Sequence, residues 1–562
     1  MTTHPTRAGR LRTAIDAAAH HLLTTLHPDG TWYDTRPALV PGTAAAVIAL
    51  HTADPEHSAA LVHRGTDWLL RTRNPDGGWP VTDSGPSNVI ATAGAVAALH
   101  LAAPGRTTEA VRAGLAHLDH HGGVDGVADP TVRRLTGLLL ALARLREPTT
   151  VPSVPTALLL LPTPLTRHLL SLLITPFAAL TLLQHRLRPG PLAGRTTATA
   201  TTILRECEQQ EGGVGSLGSG DPWLTGLAAT ALHHAGTAPA LVRATVAYLR
   251  AHARPDGSWV LMHGMTDRDV DLVGHSLATE ALCHAGHRTD PRVRRAAAWL
   301  LDCRQTGPFP LFDCPPGGWA WSGAQGWPNV LDTTAALGAL AATRSHGQVL
   351  ADGAGWLRAR QDRRGSWSVF TPNTRCPADR SCPHATALAI DLITAAGTPA
   401  TDRAVRRALR WLTVHAHPDG SHQALWHRGG VPATAAVLHT CTRLRLTDTP
   451  LAGHARAWLL TAQLADGSWG AAPATGPGTT DETARAVQAL AHLTDDPVAR
   501  TAAARGTDWL LAAQRPDGTW EPGPACWYIK DHLAYPDHLI AQGLALGALA
   551  AHHRSAPPGD RG

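Results

Sequence analysis

Lysine is almost missing from this chain: Lys530 is the single one among 562 residues, and the other basic side chains are arginine. No long block of like charge occurs, and a formal net charge of +5 is mild for this length, so a nucleic-acid-binding arm is not expected. Paired Cys-x-x-Cys spacing is absent too. The eight cysteines (Cys207, Cys283, Cys303, Cys314, Cys376, Cys382, Cys441 and Cys526) therefore read as reduced thiols rather than a structural zinc site, and only Cys376, Cys382 and His384 could face a metal. The first twenty residues carry Arg7, Arg10, Arg12 and Asp16 and no apolar core of a secretory signal, from which a cytoplasmic protein is expected. An uninterrupted membrane-length run is lacking as well. Residues 157–183 are very apolar but are broken by Pro162, Pro164, Arg167, His168 and Pro176. They are expected to form buried core helices, with shallow contact to a bilayer face if the substrate is a lipid.

What is present is a globular composition, 44% hydrophobic and 17% charged, and a strong internal repeat. HPDGTW (27–32), NPDGGW (74–79), RPDGSW (254–259), QDRRGSW (361–367), QLADGSW (463–469) and QRPDGTW (514–520) vary one unit. QQEGGVG (209–215), PPGGW (315–319) and HPDGSH (417–422) are weaker copies. Each lies between stretches with apolar residues at helical spacing, such as AAAWLLDCRQ (296–305) before and DETARAVQALAHL (481–493) after. The glycine corner supplies the positive φ that stops one helix, and the tryptophan anchors the next. Helix pairs repeated in this way predict an all-α protein, either closed into α/α barrels or stacked as an open solenoid that binds protein partners.

The Gln-x-x-x-Gly-x-Trp pattern, intact in Gln361–Trp367, Gln463–Trp469 and Gln514–Trp520, resembles the QW repeat of squalene–hopene cyclases and other class II terpene cyclases, and the similarity runs from about residue 13 to about residue 550. The resemblance implies two α/α-barrel domains, one inserted in the other: residues 1–29 and 256–562 as the catalytic barrel, and 30–255 as the inserted one.

The family carries Asp-x-Asp-Asp-Thr-Ala, whose middle aspartic acid protonates an alkene or epoxide. An ungapped alignment from PGGWAW (316–321) puts Asp332 of WPNVLDTTAAL (327–337) at that position, with Val330 and Thr333 replacing its neighbours. Taken alone, Asp332 before two threonines reads as a helix N-cap. As a proton donor it must be neutral, which burial favours, and its conjugate base needs hydrogen-bond partners; Asn329, Thr333, Thr334 and His384 are the candidates. Trp321 and Phe370 fall where squalene–hopene cyclases keep aromatic rings that stabilise cations, with Trp327, Trp527 and Tyr528 as weaker additions.

CWYIKDHLAYP (526–536) resembles the Trp-x-x-Lys-Asp-x-Tyr-x-Pro segment of bacterial class II cyclases that act on prenyl diphosphates, which gives Lys530 a diphosphate to bind. The resemblance also implies magnesium. Its ligands are unassigned, because PSVPTALLLLP (152–162) has Leu158 at the family's acidic position and GPSNVIATA (85–93) has no carboxylate; Asp269, Asp271 and Glu280 remain weak candidates. The expected reaction is cyclisation of farnesyl diphosphate to a drimane-type bicyclic diphosphate, with a phosphatase as the downstream partner. Geranylgeranyl diphosphate to a labdane-type product is the rival, and a squalene-type substrate is third. A non-catalytic lipid-binding barrel, or a zinc-dependent relative of protein prenyltransferase β subunits, are the readings outside this class.

Overall fold

The computed structural model describes residues 6–33, 37–209, 212–215, 217, 220–260, 270–321, 323–473, 475–524 and 526–556. The chain divides into two compact units, Met1–Asp34 with Val270–Gly562, and Thr35–Asp269. Both are built from helix pairs, and among the described residues the only sheet is the hairpin Cys526–Ile529/Leu533–Tyr535.

In the first unit, six helices form a closed inner ring: Leu272–Leu282, Val330–Thr343, Pro383–Ala395, Val431–Arg443, Thr480–Ala491 and His538–Ser555, each packed on the next and the last on the first. Their composition explains the placement. Val330–Thr343 and Pro383–Ala395 are apolar around nearly their whole circumference, as a helix must be when it is covered on all sides. The outer helices Pro291–Asp302, Gly347–Ala359, Arg403–Val414, Pro450–Ala462 and Pro497–Ala513 bury one stripe only. The sixth outer helix is Arg7–Thr25, from the other end of the chain: the Gln514 side chain donates to Ala14 O at 3.0 Å, and Trp32 lies against His275 with ring centroids 5.0 Å apart.

The second unit closes five inner helices in the same manner: Val40–Ala53, Val89–Ala102, Pro130–Leu142, Ile174–Leu187 and Pro222–Ala235. Its last turn returns to its first inner helix, Trp259 N–H donating to Thr43 Oγ1 at 3.1 Å. The apolar stretch read from the sequence becomes the short helix Thr163–Leu170, a 3₁₀ turn and the inner helix Ile174–Leu187. By length and composition Thr163–Leu187 could cross a membrane, but well over half of its most apolar window is buried inside the protein.

The repeated turn works through four contacts. The indole N–H of Trp32, Trp79, Trp259, Trp367, Trp469 and Trp520 donates to the carbonyl of a leucine ten residues earlier, at 2.6–2.8 Å. The backbone N–H of the anchor donates to a threonine hydroxyl in the first turns of the next inner helix, as in Trp79–Thr92, Trp367–Thr386 and Trp469–Thr483. Gln361, Gln463 and Gln514 bridge their own turn to the neighbouring outer helix, Gln463 Nε2 reaching both Gly467 O and Ala502 O at 2.9 Å. The glycine is required twice over: Gly467 has φ +93°, and a Cβ there would meet Arg505 O at 2.8 Å.

These contacts also move the boundaries between units. Trp32 hangs from Leu22, so the turn at 30–33 stays with the first helix and its unit; Trp259 hangs from Leu249, so the turn at 256–260 stays with the second. The divisions fall after Asp34 and Asp269 rather than after residues 29 and 255, because each turn belongs to the helix that precedes it.

Candidate active site

Asp332, His384, Asp481, Glu482 and Arg485 all come from the first or second turn of an inner helix of the first unit's ring. Asp332 is the third residue of Val330–Thr343 and is 3% exposed. It is not the cap. Asn329 is, its Oδ1 accepting from Asp332 N–H at 3.0 Å while its Nδ2 donates to Asp332 Oδ2. The backbone N–H of Trp321 also donates to the Asp332 carboxyl. No cation reaches it among the described residues, and burial outweighs the two hydrogen bonds, pushing its pKa up to about 7.

The other expected partners are elsewhere engaged. Thr333 Oγ1 accepts from Trp319 N–H at 3.0 Å, the same threonine position that holds the turn in the other repeats, so its presence at this place is explained by the fold. Thr334 Oγ1 donates back to Leu331 O at 2.9 Å. His384, second residue of Pro383–Ala395, is buried with neither ring nitrogen hydrogen-bonded among the described residues, and so gives Asp332 no hydrogen bond. Its ring stands edge-on to His427 at 4.7 Å, and burial followed by the charge of Arg485 pushes its pKa down to about 3, keeping it neutral.

An aromatic wall stands at the start of the Asp332 helix, where Val330 N–H donates to Val369 O at 2.9 Å. Trp327 stacks on Phe312 with centroids 3.7 Å apart and planes 4° from parallel, with Phe309 at 5.9 Å and Phe370 at 4.9 Å. Phe309 and Phe312 escaped the sequence reading, since they sit in an irregular loop outside the repeat; Trp327 and Phe370 did not. Trp321 is half-buried and reaches Asp332 through its backbone.

Across the ring lies a polar group that the repeat pattern concealed. Asp481 and Glu482 open the helix Thr480–Ala491, both buried, the first accepting from Gly523 N–H at 2.8 Å and the second from the Thr479 hydroxyl in a capping box. Burial pushes them up to about 6 and about 7, Asp481 adding to the rise at Glu482. Arg485, one turn on, donates to His427 Nε2 at 3.3 Å. The signal was available: Glu482 occupies in its repeat the helical position that Asp332 occupies in another.

The hairpin that carries Lys530 is tied to this same rim. His427 bridges to Cys526, Trp527 N–H donates to Trp426 O at 3.0 Å, Trp527 Nε1 to His427 O at 3.1 Å, and the Arg428 guanidinium lies 5.9 Å over the Trp527 ring. Tyr528 and Lys530 are half-buried next to it, Lys530 contacting its neighbour Asp531.

No three His, Cys, Asp or Glu side chains converge among the described residues, so Cys376, Cys382 and His384 form no metal site. Asp271 caps its helix with both oxygens accepting from Val273 and Gly274 N–H, Glu280 lies near the opposite end of that helix, and Asp269 falls outside the described residues. All eight cysteines are free and buried.

Comparison with known proteins matches this chain to the Squalene-hopene cyclase C-terminal domain over residues 271–526, the Squalene-hopene cyclase N-terminal domain over 15–174, and the Prenyltransferase alpha-alpha toroid domain over 171–308. Drimenyl diphosphate synthase of Streptantibioticus cattleyicolor is 30% identical over 299 residues, 50% of this chain and 52% of that protein. Squalene–hopene cyclase of Bradyrhizobium diazoefficiens is 25% identical over 308 residues, 47% and 46% of the two chains. The chain thus spans about half the length of the curated relatives it matches. Among solved structures, ent-copalyl diphosphate synthase from Streptomyces platensis shares the fold with a TM-score of 0.60 at 21% identity, covering 96% of this chain and 99% of that one.

Proposed function

The chain belongs to the class II terpene cyclase superfamily, and from that premise we propose that it closes farnesyl diphosphate into a drimane-type bicyclic diphosphate without releasing the diphosphate. The single observation that carries this reading is Asp332, a carboxyl whose pKa burial pushes up to about 7, on a helix that starts three residues after the stacked ring of Trp327.

The chemistry follows from that pairing. One carboxyl oxygen of Asp332 accepts from Asn329 Nδ2 and the other carries the proton. Transfer breaks that O–H bond and forms a C–H bond at the distal alkene. The carboxylate left behind keeps the Asn329 and Trp321 hydrogen bonds and lies in the first turn of a helix, where the macrodipole favours negative charge. Without those contacts the desolvated anion would make the acid too weak. The positive charge created on carbon is stabilised by the faces of Trp327, Phe312 and Phe370, which attract a cation and offer no lone pair to capture it. Successive alkenes then attack, the rings close, and loss of a proton ends the cascade.

Lys530 is assigned to the diphosphate, and a magnesium ion accompanying that diphosphate belongs to the proposal with its ligands unassigned. A cytoplasmic setting and a phosphatase acting on the product are parts of the same reading. Contact with a membrane face would use the helix Thr163–Leu170, where Leu165 is 44% exposed. The test is to incubate the protein with farnesyl or geranylgeranyl diphosphate, with and without magnesium, dephosphorylate, and identify the alcohols by gas chromatography–mass spectrometry. A bicyclic sesquiterpene alcohol supports the proposal. A labdane-type alcohol moves the substrate to the longer chain, and linear alcohols alone reject both diphosphates in favour of a different polyene substrate or a barrel without this chemistry.

A further inference from the structure

Arg485 is a buried cation on this rim that feels the charges of Asp481 and Glu482 but makes no direct ion pair with either. It projects from the second turn of Thr480–Ala491, deep inside the first unit, yet part of its surface remains accessible, as for a side chain lining an internal space. Its one hydrogen bond among the described residues is to His427 Nε2, leaving the rest of a five-donor guanidinium without an acceptor. No carboxylate among the described residues lies within ion-pair distance, although Asp481 and Glu482 share its helix. Burial keeps those two acids up at about 6 and about 7, which thins the negative charge Arg485 meets. Burying a cation without a partner is costly, so such a residue points to a ligand.

Position says which ligand. In the six-membered ring, Thr480–Ala491 stands three places from Val330–Thr343 and therefore diametrically opposite Asp332. Packed helices lie about 8–10 Å apart, so opposite axes are about 16–20 Å apart and the open width between their side chains is of the order of 8 Å. That is the scale of two fused six-membered carbocycles with a one-carbon arm. Arg428 and Lys530 reach the same rim through the loop and hairpin contacts around Trp527. We propose that Arg485 is the anchor for the substrate's diphosphate, gripping it across the ring from Asp332 and so setting which alkene of the chain meets the acid. The proposal rests on the prenyl diphosphate reading above and adds a residue to it; the guanidinium fork suits phosphate oxygens better than an ammonium does.

The experiment titrates inorganic pyrophosphate into the full-length wild type, Arg485→Gln and Arg485→Lys by calorimetry, with circular dichroism to confirm folding, and measures KM for farnesyl diphosphate alongside. Loss of charge-assisted hydrogen bonds is expected to weaken pyrophosphate binding and raise KM by about 10- to 100-fold in Arg485→Gln, with Arg485→Lys between it and the wild type. An unchanged dissociation constant in either folded variant, or no pyrophosphate binding by the wild type, overturns the assignment. The two readings fail separately: pyrophosphate binding that depends on Arg485 in a protein that cyclises nothing keeps the anchor and rejects the cyclase, while cyclisation with unchanged binding and KM does the reverse.

Discussion

Asp332→Asn should make the folded protein more stable at alkaline pH than at acidic pH, relative to the wild type. The native carboxyl has its pKa raised from 3.8 to about 7 by burial, whereas the unfolded chain exposes an ordinary aspartate. Between those values the folded state binds the extra proton, so stability is fully present below about pH 4 and is lost as pH rises towards about 7, at about 1.4 kcal/mol per pH unit. Asparagine has the same shape, can still accept from Asn329, and never ionises. From pH 5 to pH 8 the wild type therefore loses about 2–3 kcal/mol that the variant keeps. Glu280, Asp481 and Glu482, also raised by burial, titrate in both proteins and cancel in the difference. The assay is urea unfolding of both proteins across pH 5 to 8, followed by far-ultraviolet circular dichroism. A stability difference that stays flat with pH would refute the premise that this carboxyl is kept neutral by desolvation.

Thr333→Val removes the acceptor of the Trp319 N–H and should destabilise the protein by about 1–3 kcal/mol while leaving kcat of the folded fraction near the wild-type value; a fall in kcat by orders of magnitude would return Thr333 to the chemistry. Trp469→Ala, at a fully buried anchor far from Asp332 in the repeat order, should cost about 3–5 kcal/mol in denaturant unfolding, and a loss under about 1 kcal/mol would show that the turn does not depend on its tryptophan. Lys530→Ala should raise KM for diphosphate substrates; unchanged kinetics would leave that lysine as a partner of Asp531 alone.

The repeat made the architecture legible because each turn uses side chains that nothing else in a helix pair requires: a glycine at positive φ, an indole reaching back ten residues, a glutamine spanning two outer helices. The insertion was implied by the family resemblance alone, which did not give the unit boundaries, since sequence similarity does not say that Trp32 hangs from Leu22. Asp332 stood out by its isolation among apolar residues. Its partner could not be chosen from four candidates by spacing alone, because Thr333, Thr334 and Asn329 are all within reach of a first helical turn and only the backbone path decides that Asn329 caps it. Arg485, Asp481 and Glu482 were hidden inside a stretch that reads as an ordinary amphipathic helix; their burial comes from closure of the ring, a property of six helices together.

On the proposed mechanism Asp332 delivers a solvent-derived proton to the distal alkene. Equilibrating the enzyme in deuterium oxide, adding farnesyl diphosphate, and locating deuterium in the dephosphorylated product by mass spectrometry and nuclear magnetic resonance tests it directly. The expected result is a bicyclic product with one deuterium at the carbon that was protonated, and no bicyclic product from Asp332→Asn. A cyclic product without that deuterium, or one formed equally well by Asp332→Asn, would contradict it.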